Sequence, residues 1–189
     1  MKLRIGTKIS IFAIGMLLMA GSAFAQKEKT VIVGGAAMYP SKNIVENALN
    51  SKDHTTLVAA VKAAGLVETL QGEGPFTVFA PTNEAFDKLP KGTVETLLKP
   101  ENKATLTAVL TYHLVPGKIS SANLVKMIKD NGGSYKAKTV QGGELTFMQK
   151  GNTILIKDEK GGLSEVTIAD VNQSNGVIHV VSSVLLPKG

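Results

Sequence analysis

Three histidines, His54, His113 and His179, are the chain's whole supply of imidazole, and with no cysteine there is no thiol chemistry at all. None of the three falls in a His-Glu-x-x-His or His-x3-His spacing, so a metal would need ligands brought together from distant segments. His54 lies in a polar helix start and is expected in solvent. His113 and His179 lie among apolar residues, where a ring nitrogen left bare would cost on the order of 1 to 3 kcal/mol, so both are expected to be neutral and internally hydrogen-bonded. Nucleophilic chemistry has as little support. Gly132-Gly133-Ser134-Tyr135-Lys136 lacks the last glycine of a G-x-S-x-G elbow, and Gly72-Glu73-Gly74 runs into Pro75 and Phe76 with no third glycine or helix start for a dinucleotide. Glu84 and Asp87, three apart on one helix, read as a first-turn charge and a solvated face. Asn172-Gln173-Ser174 is a glycosylation sequon only in a eukaryotic secretory host. The residues therefore predict no catalytic centre, no metal and no cofactor.

The first 25 residues read as a cleaved export signal. Lys2, Arg4 and Lys8 precede the apolar run Ile9 to Ala20, and Ala23-Phe24-Ala25 supplies the small-x-small pattern before Gln26. The run is interrupted by Ser10 and Gly15 and falls short of the about 20 apolar residues that span a bilayer, so no lasting membrane insertion is expected after cleavage. Removing it leaves 18 basic and 15 acidic residues, a net charge of +3. That mild excess, with no basic cluster interleaved with aromatics, argues against a nucleic-acid partner. A cysteine-free exported chain must hold together by core packing and cannot carry a lipidated cysteine. The expected location is the periplasm or the extracellular space.

Residues 26–42 are expected to form an extended lead-in, and 43–189 the folded domain. Asn43 with Glu46 resembles a capping box, Asp53 is read as the N-cap of a second helix, and Gly65 as its C-terminal stop. At the centre stands Gly74-Pro75-Phe76-Thr77-Val78-Phe79-Ala80-Pro81-Thr82-Asn83-Glu84-Ala85-Phe86. Phe76 to Phe79 fit a short buried strand, Pro81 ends it, Thr82 and Asn83 offer caps to the next helix, and Phe86 gives that helix an apolar side. Thr93 and Ser121 mark further helix starts, and Thr111 to Val115 reads as helix passing into strand. From Tyr135 the apolar period switches to two, giving hairpins, with Asn175-Gly176 as the strongest turn signal. The last run, Val177 to Val181 with His179 in its middle, is apolar on both faces. It is expected to be a central strand beside Phe76 to Phe79. The fold class is α+β, strands packed on short helices.

Three blocks in register, residues 74–86, Thr111-Tyr112-His113-Leu114-Val115-Pro116-Gly117, and the closing 169–187, resemble the fasciclin (FAS1) domain over about residues 44 to 187. The resemblance implies a β wedge against a helix cluster and an exported, non-enzymatic module of cell adhesion or matrix attachment. Its partner would be a cell-surface or matrix protein or a polysaccharide; the oligomeric state is left open. It also implies two contact sites, Tyr112 with His113 and Asp170 with Val171, though the neighbours Ala169 and Asn172 depart from integrin-reading members. Phe76, Phe79, Pro81, Thr82, Asn83, Phe86, Asn175, Gly176 and His179 would form its structural motif. The alternative reading is a binder of a small apolar ligand or glycan lodged between helices and sheet.

Overall fold

The computed structural model describes residues 29–188; the export signal read from the sequence lies outside the described residues. Nine strands and seven α-helices follow in order: β1 (Val31–Val33), β2 (Ala36–Met38), α1 (Ile44–Ala48), α2 (Thr55–Ala64), α3 (Val67–Gln71), β3 (Phe76–Pro81), α4 (Asn83–Asp87), α5 (Thr93–Leu97), α6 (Lys103–Tyr112), β4 (Leu114–Pro116), α7 (Ser121–Asp130), β5 (Ser134–Lys138), β6 (Glu144–Lys150), β7 (Thr153–Lys157), β8 (Leu163–Gln173) and β9 (Gly176–Val181). Seven strands form one sheet in the order β4-β3-β9-β8-β7-β6-β5. The central pair β3 and β9 is parallel, Phe76 opposite Gly176 through Pro81 opposite Val181, and all the other pairings are antiparallel.

The central pair is apolar on both faces because it has a core on each side. Val78, Ala80, Ile178 and Val180 face a core built with α1, α2, α3 and α6. Phe79 and Val181 face a second core closed by Leu124 and Ile128 of α7 and by Leu145, Phe147, Ile154 and Ile156 of the hairpins. Register shifts in β8 between Val166 and Ile168 and between Ile168 and Val171 interrupt the ladder. Such bulges bend a long strand, and here the bend lets one strand serve both halves of the sheet. The chain after β5 returns to the far edge, with Val140 N–H donating to the Leu114 carbonyl at 2.8 Å. The sheet thus nearly closes on itself.

Three local expectations change. Residues 31–38 are a hairpin, and Val33 and Met38 are buried in the helical core, so the packed unit begins before residue 43. Gly34 and Gly35, at φ 58° and 76°, supply the two left-handed positions that a tight hairpin turn needs. Asp53 caps nothing. Instead Asn83 Oδ1 accepts from Thr56 N–H (3.0 Å) and the Thr55 hydroxyl (3.2 Å), capping α2 from a distant segment, while Asn83 Nδ2 donates to the Lys52 carbonyl (2.8 Å). Its own helix is capped by Thr82, whose Oγ1 accepts from Ala85 N–H at 3.3 Å. The last hairpin turns at Ser174-Asn175, one residue earlier than the Asn-Gly signal, since Gln173 pairs with Gly176. Asn175 accepts from Ile44 N–H (3.1 Å) and donates to the carbonyls of Leu70 (2.8 Å) and Gly72 (3.0 Å), tying α1 and α3 to the sheet.

Candidate functional site

The end of α6 drives Tyr112 and His113 inward. Tyr112 is fully buried; its hydroxyl donates to the Glu144 carbonyl (2.7 Å) and accepts from Glu159 N–H (3.0 Å), and burial pushes the phenol up to about 12. His113 is 2% exposed. Its Nε2 accepts from Leu185 N–H at 2.9 Å, which leaves the proton on Nδ1 to donate to the Val109 carbonyl at 2.8 Å. Burial holds this ring down to about 4 from its usual 6.5.

That shift makes stability depend on pH. Below 6.5 the unfolded chain takes up a proton at this site that the native ring refuses until about 4. The contribution of His113 is therefore complete above pH 6.5 and lost between 6.5 and 4, a loss on the order of 3 kcal/mol. His54 and His179, both lowered by burial, act in the same direction. Urea unfolding at pH 7 and pH 4.5 is expected to give a clearly lower midpoint at the acid pH. An unchanged midpoint would mean that His113 titrates normally.

Asp170 sits where β8 bends, with φ 58° in the left-handed region. Its Oδ1 accepts from Ser121 N–H at 2.7 Å and its Oδ2 from the Ser121 hydroxyl, so the carboxylate holds the first turn of α7, which Ser120 caps. Its N–H donates to His179 Nδ1 (3.3 Å), whose Nε2–H donates to the Ile119 carbonyl (2.9 Å), and the imidazole stacks on Phe79 with centroids 5.6 Å apart. Val171, the next residue, is fully buried. Of Tyr112, His113, Asp170 and Val171, Asp170 alone is more than marginally exposed. Its link to Ser121 and His179 was missed by the sequence reading, for no spacing joins residues 121, 170 and 179.

His54 differs from expectation. Rather than lying in solvent it is 2% exposed, in a core that includes Val33 and Met38 of the hairpin. Its Nδ1 meets the Ser51 hydroxyl at 2.9 Å, while its Nε2 has no hydrogen-bond partner. Burial lowers its pKa, while the Ala80 backbone beside the ring and the Asp53 charge work in the opposite direction. His54→Leu removes the bare nitrogen and unpairs Ser51, two opposed effects, so stability is expected to stay within about 1 kcal/mol of the parent by urea unfolding. Among the described residues no group of three His, Asp or Glu side chains is placed to hold a metal, and no helix is long and apolar enough to cross a membrane.

The Fasciclin domain model matches residues 52–187. The chain belongs to the fasciclin family. Among the relatives of this fasciclin chain is Protein sll1483 of Synechocystis sp., 47% identical over 183 residues, covering 96% of this chain and 93% of that protein. Immunogenic protein MPB70 of Mycobacterium bovis is 37% identical over 145 residues, or 74% of this chain and 66% of that protein. Transforming growth factor-beta-induced protein ig-h3 of Sus scrofa is 32% identical over 189 residues; the match takes in 96% of this chain but 26% of that protein. In three dimensions the chain is similar to a FAS1 domain pair from the insect cell adhesion molecule Fasciclin I, with a TM-score of 0.71, 19% identity, and coverage of 78% of this chain and 52% of that one. The fasciclin fold and its α+β class are thereby as the three sequence blocks implied.

Proposed function

We propose that this fasciclin domain is an exported, non-enzymatic module of cell adhesion or matrix attachment, whose partner is a cell-surface or matrix protein or a polysaccharide. Family membership across residues 52–187 is the observation that carries this reading. The state of the titratable groups supports it. Both nitrogens of His113 and of His179 are used in internal hydrogen bonds, and Tyr112 is buried with a raised pKa, so these groups serve as struts. An acid-base centre needs a group free to exchange a proton with substrate.

Within this reading the contact falls to Asp170 and the surface around the start of α7, since Tyr112, His113 and Val171 are buried. Deletion of the gene in its host is expected to reduce surface attachment. Asp170→Asn keeps an acceptor for Ser121 N–H and a residue type that tolerates a positive φ while removing the charge. It is expected to lower attachment several-fold with a thermal midpoint within a few degrees of the parent. Attachment unaffected by gene deletion under several growth conditions would refute the proposal; attachment unaffected by Asp170→Asn alone would move the contact elsewhere on the domain.

A further inference from the structure

We propose that the outer face of the hairpin sheet, from β5 to the first half of β8, binds an anionic polysaccharide through a spread of lysines. Strand register fixes which side chains share this face. Lys136 stands opposite Thr146 and Thr146 opposite Lys157; Lys138 is opposite Glu144, Lys150 opposite Thr153, and Met148 opposite Leu155, which in turn meets Glu165. The alternate residues, Leu145, Phe147, Ile154 and Ile156, fill the second core. On the outer side none of these residues is buried, and Lys136, Lys138, Lys150 and Lys157 are all exposed, against two glutamates, Glu144 and Glu165. Lys136 meets Glu144 at 3.3 Å, an exposed pair of little strength. Lys138, Lys150 and Lys157 pair with no carboxylate among the described residues.

The spacing favours a polymer over a single anion. Two strand spacings, about 10 Å, separate Lys136 from Lys157; two residues, about 7 Å, separate Lys136 from Lys138; and Lys150 lies four residues along β6 from Thr146, about 14 Å. Charges so dispersed converge on no single phosphate or carboxylate, but a chain with an anion on each repeat meets several at once. Met148 and Leu155, half-buried and opposite one another between Thr146 and Thr153, make a shallow apolar floor with hydroxyls beside it, which suits the faces of sugar rings. No aromatic side chain lies on this face to stack nucleic-acid bases, and Leu163, at its margin, is its one exposed large apolar side chain for a bilayer among the described residues. Peptides are captured at sheet edges and in grooves, not on a flat face. The face lies ahead of the register shifts that bend β8 toward Asp170, so it is a second surface. This inference rests on the attachment reading and gives its partner a chemistry.

Alginate and dextran sulfate serve as carboxylated and sulfated probes, with neutral dextran, a DNA oligonucleotide and phosphatidylglycerol vesicles as controls, in calorimetric and amide NMR titrations of the purified protein. Saturable binding of at least one of the two polyanions is expected, with shifts centred on β5, β6 and β7 and an affinity that falls as salt rises from about 20 to about 300 mM. Whichever of the two binds more tightly names the anion. Lys136→Gln with Lys157→Gln should weaken binding about fivefold or more, and Glu165→Gln should strengthen it. Lys91→Gln with Lys99→Gln, the same change in charge at exposed positions around α5, should have much less effect. All these side chains are exposed, so the variants are expected to fold, as circular dichroism will check. No saturable binding of either polyanion, equal binding of neutral dextran, equal loss in the two double variants, or an oligonucleotide or vesicle affinity matching that of the better polysaccharide overturns the proposal. Asp170→Asn should leave polysaccharide binding unimpaired. Loss of attachment on gene deletion, with a purified protein that ignores both polyanions, would sink this inference and leave the attachment reading standing; polyanion binding with attachment untouched by deletion would do the reverse.

Discussion

His113→Ala is expected to destabilise the domain by about 4 kcal/mol, seen as a large fall in the urea midpoint with the unfolding slope unchanged. The residue joins three pieces of chain, two through its ring and one through its backbone. Its Nδ1–H ends on Val109 within α6, its Nε2 receives Leu185 N–H from the C-terminal segment, and its own carbonyl accepts from Phe79 N–H in the central strand at 2.9 Å. Truncation leaves the Val109 carbonyl and the Leu185 N–H without their side-chain partner, at roughly 1 to 3 kcal/mol for each group stranded, and opens a cavity beside Leu110 and Leu114. A contact residue would behave oppositely, with attachment falling at an unchanged midpoint. His113→Ala therefore separates a strut from a contact at the position where the family resemblance implied a contact.

Gly176→Ala is expected to be at least as damaging, about 4 kcal/mol or more, and to yield little folded protein. A Cβ there would stand 2.2 Å from the Phe76 carbonyl oxygen and 3.1 Å from its carbonyl carbon and nitrogen. Those are backbone atoms of the central strand, so the contact cannot be relieved by turning a side chain. Relief requires β3 and β9 to part where their parallel pairing begins, at Phe76 opposite Gly176. Gly74 faces the same constraint, its Cβ direction lying 2.0 Å from the Asn175 carbonyl oxygen. Ser174→Ala, exposed in the same turn, serves as the control and should change stability by less than about 0.5 kcal/mol. Circular dichroism and urea unfolding of the two variants side by side check the contrast; a Gly176→Ala protein as stable as the control would show that the strands separate without cost.

Gly176 also shows how a correct sign can carry an incomplete reason. The Asn-Gly pair marks a hairpin that exists, but the turn residues are Ser174 and Asn175, and Gly176 is already in the strand. Its glycine is required by a neighbour a hundred residues earlier, which no local turn rule contains. Asn83 is similar. The pattern Pro81-Thr82-Asn83 announces a helix start, and Thr82 fulfils it, while Asn83 caps α2 instead, with α3 and β3 lying between them in the chain. His54 went furthest from expectation, because polar neighbours in sequence say nothing about a hairpin folding over the ring.

The elements legible in the sequence are those whose cause is local. The alternation from Tyr135 onward, the two-sided apolar runs at Phe76 and Val177, the Asn43 capping box and the left-handed stop at Gly65 all follow from side chains within a few residues of one another. Two runs apolar on both faces within one chain also implied their pairing, since each needs cover on both sides. Which polar groups are struts and which face outward depends on contacts made across the fold. Apart from the His113 bond to Val109 within its own helix, Tyr112, His113 and His179 find their partners 9 to 72 positions away. Asp170 reaches Ser121 across 49 positions. Burial of a ring nitrogen depends on what packs over it from elsewhere in the chain. Composition near the residue cannot encode that, so the same sequence that declares the fold leaves the site to be read from the structure.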